Sequence, residues 1–522
     1  MLIKIKQSFC ILLMMFAAST AFSQPEMQAT ADPEIDADGT PQFAADGRSN
    51  ADITPWENYR DYIKKRAGLS SAGPDAFGDV VGLSNGSLSF SVTDLSIPGN
   101  SALPVAITRT FEVVHRPEFF VYDRPMTDWD LDLPRIHGTY GPTWAGDRCT
   151  RQSEPAFVTV PGGRVYQASD FWQGLTAAIP AGGELMLASA ATPRPSSAPP
   201  VGDWLWLTSG MTYLGCSPSI QNGTGEGFTA LTPDGTKYRF DFMAQYHEAP
   251  LSAPASTLGQ PTTPAPLQRR RNVMYATRVE DRFGHWVEYT YTNAANQPAR
   301  LTRILADDGR EITLSYNAQG KVSTMASHGR TWTYGYNAAV SSLTSVTLPD
   351  ASQWLLNLKA ISDAQIDFSR GDPRSCTSIT SVLTNPEIAG TIKHPAGATA
   401  EFVIQHALLG RSNVPRICIN FELQNNDPND DVALFVRDSD NLAIKRKTIT
   451  GPGIEAMQWD YQFGATRSFI VGSGPTCTSL TCADPVCVTD ACAGSVTAVV
   501  QGPDNVSGAI NSAIAIATTK AS

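Results

Sequence analysis

Gly309-Arg310-Glu311-Ile312-Thr313-Leu314-Ser315-Tyr316, then Asn317-Ala318-Gln319-Gly320, then Lys321-Val322-Ser323-Thr324-Met325, decides how this chain is read. A glycine turn leads into strict alternation, which puts Ile312 and Leu314 on one face of a strand. Asn317 to Gly320 is a polar break, and Val322 to Met325 is a return strand. The unit recurs. Upstream stand Gly284-His285-Trp286 with Tyr289 and Tyr291. Downstream stand Gly329-Arg330-Thr331-Trp332 with Tyr334 and Tyr336, then Pro349-Asp350-Ala351-Ser352-Gln353-Trp354. The spacings are 25 (Gly284 to Gly309), 20 (Gly309 to Gly329) and 22 (Gly329 to Ala351). A period near twenty marks a supersecondary repeat. Stacked turn–strand–turn–strand units make one continuous antiparallel sheet.

The pattern Gly-Arg-x-x-x-x-Tyr, then Asn-x-x-Gly-x-(Leu/Val)-x-x-(Ile/Met), resembles the YD repeat of Rhs-type proteins. The match is densest from Gly309 to Tyr336, with Gly309, Arg310, Tyr316, Gly329, Arg330, Trp332, Tyr334 and Tyr336 as its defining residues. Gly284, Trp286, Tyr289 and Tyr291 begin the series, and Trp459 and Tyr461 restore its aromatic alternation near the end. Val80 to Gly99, followed by Leu103 to Arg109, is similar to the segment that opens many such proteins. The resemblance implies an all-β chain: an N-terminal antiparallel β domain, then a curved, partial YD-repeat sheet, an open fragment of an Rhs-type shell. Members of the family usually carry many more repeats and then a variable C-terminal effector. This chain shows neither, so the implied role is an N-terminal fragment of a polymorphic-toxin shell whose effector is absent, or a separately encoded half of one.

Working outward, residues 1–23 read as a secretory signal peptide, with Lys4 and Lys6 before the apolar run Phe9 to Ala18. That run is too short to span a bilayer, so no stable membrane span is expected. The destination is secreted or cell-surface, with the periplasm as the alternative. Without the two signal lysines, 37 basic residues face 50 acidic ones, a net charge of −13. Such a balance argues against a nucleic-acid partner. Residues 24–51 read as a disordered acidic segment without periodicity. Residues 52–68 form a short helix opened by Thr54-Pro55-Trp56-Glu57.

Residues 76–247 read as the N-terminal β domain, 248–268 as a Pro/Ala-rich linker, 269–470 as the repeat sheet and 471–522 as a Cys-rich tail. Gly82-Leu83-Ser84-Asn85-Gly86 has the spacing of a nucleophile elbow, but Asn85-Gly86 followed by an alternating strand reads as a hairpin. Asp128, Asp130 and Asp132 alternate, which places them on the wet side of a sheet. Arg269-Arg270-Arg271 reads as a solvated turn. Eight cysteines in an exported chain read as disulfides. Cys149 pairs with Cys216, the only two in the first domain, and Cys376 with Cys418. Cys477, Cys482, Cys487 and Cys492 form two local bridges, with three pairings open.

No catalytic constellation emerges from the sequence. The seven histidines are scattered, and no metal or cofactor site is expected. The expected role is an exported, non-enzymatic structural or adhesion protein whose exposed aromatic and Arg/Thr faces bind a protein partner or a cell-surface glycan. The alternative is an extracellular carbohydrate-active enzyme or glycan-binding protein on a β scaffold. Its carboxylate pair would be Asp128/Asp130 or Asp438/Asp440.

Overall fold

The computed structural model describes residues 76–82, 86–114, 123–161, 165–179, 182–188, 203–251, 266–367, 382–383, 387–410, 420–422, 431–433 and 438–461. The signal peptide, acidic segment, short helix, Cys-rich tail, Cys376 and Cys418 lie outside them, as do Cys477, Cys482, Cys487 and Cys492. No helix among the described residues is long and apolar enough to cross a membrane.

The chain is all-β and antiparallel. A 20-stranded sheet carries the repeats, and a 4-stranded sheet (Asp79–Val81, Leu88–Ile97, Val105–Glu112, Asp130–Leu131) packs on one of its faces. In the large sheet, pairing runs in chain order from Leu187–Ala188 to Leu267–Glu280, through the repeats to Gln353–Asn357, and on to Ile454–Asp460. A side branch joins at Leu267–Glu280. That strand pairs Arg270 to Tyr275 with Arg135–Tyr140, and Arg278 to Glu280 with Trp286–Thr292. The sheet does not close into a barrel.

Strands Lys237–Leu251 and Leu267–Glu280 form a long hairpin, so the ends of the expected linker 248–268 are paired sheet. Arg269, Arg270 and Arg271 are a correction: they are half-buried strand residues rather than a solvated turn. Their register partners are Glu248, His247 and Tyr246, which carry the hairpin past the triple arginine.

The repeat unit has three physical parts. The first is a tight turn. In Ala306–Arg310, the Gly309 N–H donates to the Ala306 carbonyl and the Ala306 N–H to that of Arg310. This geometry needs a left-handed residue, and Gly309 supplies it at φ 83°. In the fourth unit the same place falls on Ala351, at φ 67°. Ala351→Gly is therefore expected to raise stability by up to about 1 kcal/mol in denaturant melts.

The second part is a bulge at the last tyrosine. Register shifts fall between Thr290 and Tyr291, Ser315 and Tyr316, and Gly335 and Tyr336. The bulge re-aims each ring, and its hydroxyl finds a backbone carbonyl on a neighbouring strand. Tyr291 donates to Ala276 at 3.1 Å, Tyr316 to Leu301 at 2.8 Å and Tyr336 to Val322 at 2.7 Å. A phenylalanine could fill the space but not make that bond, which accounts for tyrosine at this place.

The third part is the alternation itself. In Arg330–Tyr336, Trp332 and Tyr334 are buried while Thr331 and Thr333 are exposed. Tyr291, Trp354, Trp459 and Tyr461 are buried too, and Trp286, Tyr289, Tyr316 and Tyr336 are half-buried. The expectation of exposed aromatic faces is thus corrected. Trp286 lies outside the core, under the Arg278 guanidinium; the other rings join the hydrophobic core, because a sheet with one wet face must bury its apolar one.

Candidate functional site

Two places concentrate chemistry. One is a seam of buried polar residues between the small sheet and the repeat wall. Asp79 meets Lys447 there, both side chains 1% exposed. Arg109 holds Asp94 through Nε at 2.9 and 3.0 Å, and the Tyr334 hydroxyl donates to the same carboxylate. The Arg109 guanidinium lies 4.5 Å from the Trp129 ring centre and 5.7 Å from that of Trp354. Two indole faces there replace further acceptors. Arg310 is buried as well. It grips Asp308 at 2.8 Å and donates to the carbonyls of Ile97 and Leu103. A repeat arginine thereby bolts the loop after Leu88–Ile97 to the wall.

Asp128 and Asp130 belong to this seam, against the expectation of a wet face. Both are buried and only Asp132 is exposed. Asp128 accepts from the Ser342 hydroxyl at 2.7 Å and the Leu343 N–H at 2.9 Å. Burial pushes its carboxyl up, against the pull of those bonds. Burial also opposes ionisation of Asp130, but Arg124, Arg135 and Arg271 together hold it below its ordinary value. The alternation that predicted a wet face fails because only Asp130–Leu131 is strand. Thr127 stands before it at φ 63°, which breaks the register.

Lys321 donates from Nζ to the Arg124 carbonyl at 2.7 Å. Burial lowers its ammonium to about 8 from an ordinary 10.5, with Asp123 opposing and Arg300 assisting. Between those two values the unfolded chain binds more protons than the folded one, so this site's contribution to stability rises with pH. Melts of wild type and Lys321→Met across that window are expected to show the wild type gaining relative to the variant as pH rises.

The second place is a surface cleft of about 270 Å³ beside the Arg135–Tyr140 strand end. Tyr140, Trp144, Phe157, Phe171, Trp172 and Trp206 line it, with Asp147, Arg148 and Arg151 among them. Cys149 and Cys216 are joined across 67 residues and fix one wall. In the chain-entropy picture a bridge closing a loop of this length adds about 4 kcal/mol. Glu226 pins the loop further, accepting from the N–H groups of Cys149 at 3.0 Å and Thr150 at 2.9 Å. Trp206 donates to the Cys149 carbonyl at 2.8 Å. Trp144 stacks between Tyr140, at 5.2 Å, and Phe228, at 6.4 Å. The four-residue helix Ala168–Phe171 delivers Phe171 and Trp172 to the opposite side.

Sequence reading missed this cleft, because its residues come from a loop, a strand end and a short helix with no shared period. It missed most of the seam too, although one signal was present. Arg109 occupies the inward register of Val105–Glu112, between Ile107 and Phe111. A charge at an apolar position of an alternating strand calls for a buried partner. Asp438 and Asp440 lie in the strand Asp438–Gly451, but their side chains fall outside the described residues. No group of three or more His, Cys, Asp or Glu among the described residues is placed to hold a metal ion.

No family model and no curated protein matches the chain. Among solved structures, weak likenesses are to the TcdB2-TccC3 crystal structure and to the N-terminal domain of the effector protein SpvB from Salmonella typhimurium strain LT2. The first has a TM-score of 0.25 and 12% identity, covering 78% of this chain and 21% of that one. The second has a TM-score of 0.22 and 10% identity, covering 53% of this chain and 94% of that one. The chain thus spans about a fifth of the length of the TcdB2-TccC3 chain.

Proposed function

We propose that this chain is an exported, non-enzymatic structural and interaction protein. Its repeat sheet is a segment of shell wall, and its loops meet a protein partner or a cell-surface glycan. One observation carries the reading. The residues that define the repeat go into turns, bulges, carbonyl-capping tyrosines and a buried aromatic face. Their chemistry is spent on building the sheet. The toxin-shell version rests on the likeness of the repeats to the YD pattern.

The enzyme alternative needs two carboxylates facing each other across an open cleft. Asp128 and Asp130 are instead buried, one clamped to Ser342 and Leu343, the other set among arginines. A panel of polysaccharides incubated with the mature chain, assayed for released reducing ends, tests the proposal. No release above the blank is expected. Release that disappears in Asp438→Asn or Asp440→Asn would overturn it.

A further inference from the structure

We propose that His394 is an acid-sensitive latch: as a neutral imidazole it holds Phe77, at the entry to the small sheet, against the repeat wall, and on taking up a proton it lets go. The turn that carries it is built like the turns of the repeats. The His394 N–H donates to the Ala398 carbonyl at 2.7 Å, and the Gly397 N–H, at φ 95°, donates to the His394 carbonyl at 2.8 Å. The same backbone pattern puts Asp281 and Asn317 at this place in their own turns. There the side-chain oxygen accepts the N–H two residues on. Phe283 donates to Asp281 at 2.8 Å and Gln319 to Asn317 at 3.1 Å, the ordinary duty of Asp and Asn in turns. In the His394 turn a ring nitrogen does this work: Nδ1 accepts from the Ala396 N–H at 3.0 Å. A ring nitrogen accepts only while it carries no proton, so the bond belongs to the neutral imidazole.

The same ring packs between two aromatic residues. Its centre lies 4.5 Å from that of Trp354 and 6.2 Å from that of Phe77, edge to face in both cases. Phe77 is 1% exposed, stands 6.5 Å from Trp354 and lies two residues before the strand Asp79–Val81. Among the described residues, no carboxylate pairs with His394, and the charges facing it are already engaged. On the far side of Trp354, the Arg109 guanidinium lies 5.7 Å from the ring centre and holds Asp94. A second cation beside that indole would meet its field. Beyond Phe77, Asp79 is paired with Lys447. In the neighbouring turn, Asp350 accepts from the N–H and hydroxyl of Ser352 at 3.0 and 2.6 Å. Lys393, next in the chain, is exposed, and Glu401 lies 3.9 Å from Arg446. Burial lowers the His394 pKa from its ordinary 6.5. The open state therefore takes up a proton more readily than the latched one. The hold is complete above the ordinary value and is lost as pH falls below it. His285 behaves oppositely: Asp307, at 2.8 Å, raises its pKa, so acid strengthens that pair.

The latch does not depend on what the loops bind, so its failure would leave the interaction role proposed above untouched. The test is hydrogen–deuterium exchange on the full mature chain at about pH 7.5 and about pH 5.5, either side of the ordinary imidazole value, with each rate corrected for the intrinsic exchange at that pH. In the wild type, protection over 77–81 and 394–398 is expected to fall severalfold at the lower pH, while protection over the repeats at 309–336 holds. His394→Asn keeps an acceptor for the Ala396 N–H and has no proton to take up in this range. Its protection over 77–81 should be the same at both pH values. His394→Ala removes the acceptor at every pH, so its protection over 77–81 should already be reduced at the upper value. A fall in His394→Asn as large as in the wild type would overturn the inference. So would undiminished protection of the wild type at the lower pH, or a His394→Ala variant as well protected as the wild type at the upper one.

Discussion

Lys447→Ala is expected to lower the free energy of unfolding by about 3–5 kcal/mol. The Lys447 ammonium meets the Asp79 carboxylate with both side chains 1% exposed, beneath Phe402 and Trp459. Removing the cation leaves the buried Asp79 carboxylate without the Lys447 countercharge, so it must stay charged at high cost or take up a proton. The pair spans 368 residues of sequence, so the loss should also loosen Asp79–Val81, the first strand of the small sheet. The paired variant Asp79→Leu with Lys447→Met should recover most of the stability, since well-packed apolar replacements of buried pairs are often neutral. Denaturant midpoints read both effects. A single variant within about half a kcal/mol of wild type would contradict the account of the seam.

Trp332→Ala is the second large effect, expected at about 3–5 kcal/mol. Trp332 is 6% exposed and sits between the exposed Thr331 and Thr333 on one strand. Across the hairpin it faces Met325, which is fully buried. Truncation opens a cavity between the sheets, and rigid strands on either side cannot collapse into it. Thr333→Ala, one residue along and facing solvent, should change stability by less than about 0.5 kcal/mol. Comparable losses in the two variants would mean that the wall does not have one dry face and one wet face.

The fold was largely legible because the repeat states its geometry locally. A glycine places the turn, alternation sets the faces and a polar break follows the closing tyrosine; the bulge at that tyrosine is seen only in the structure. Gly284, Gly309 and Gly329 all take positive φ. What the pattern could not state was which wet-looking residues are covered by another layer. Asp128 and Asp130 were read from a short alternation that Thr127 interrupts, and the wall then buries them. The triple arginine looked like a turn because charge runs usually are solvated. Here a long hairpin carries it, and Arg271 sits 3.8 Å from Asp130. The cleft depends on distant segments meeting around one disulfide, so no local window contains it.

Residue-resolved hydroxyl-radical footprinting of the folded mature chain tests the central claim most directly. Trp332, Tyr334, Trp354, Trp459 and Tyr461 should be protected, each 9% exposed or less. Phe283, at 74% exposure, and Phe157, at 61%, should be modified rapidly. Fast modification of the repeat rings, at rates matching Phe283, would show that they do not form the buried face of a wall.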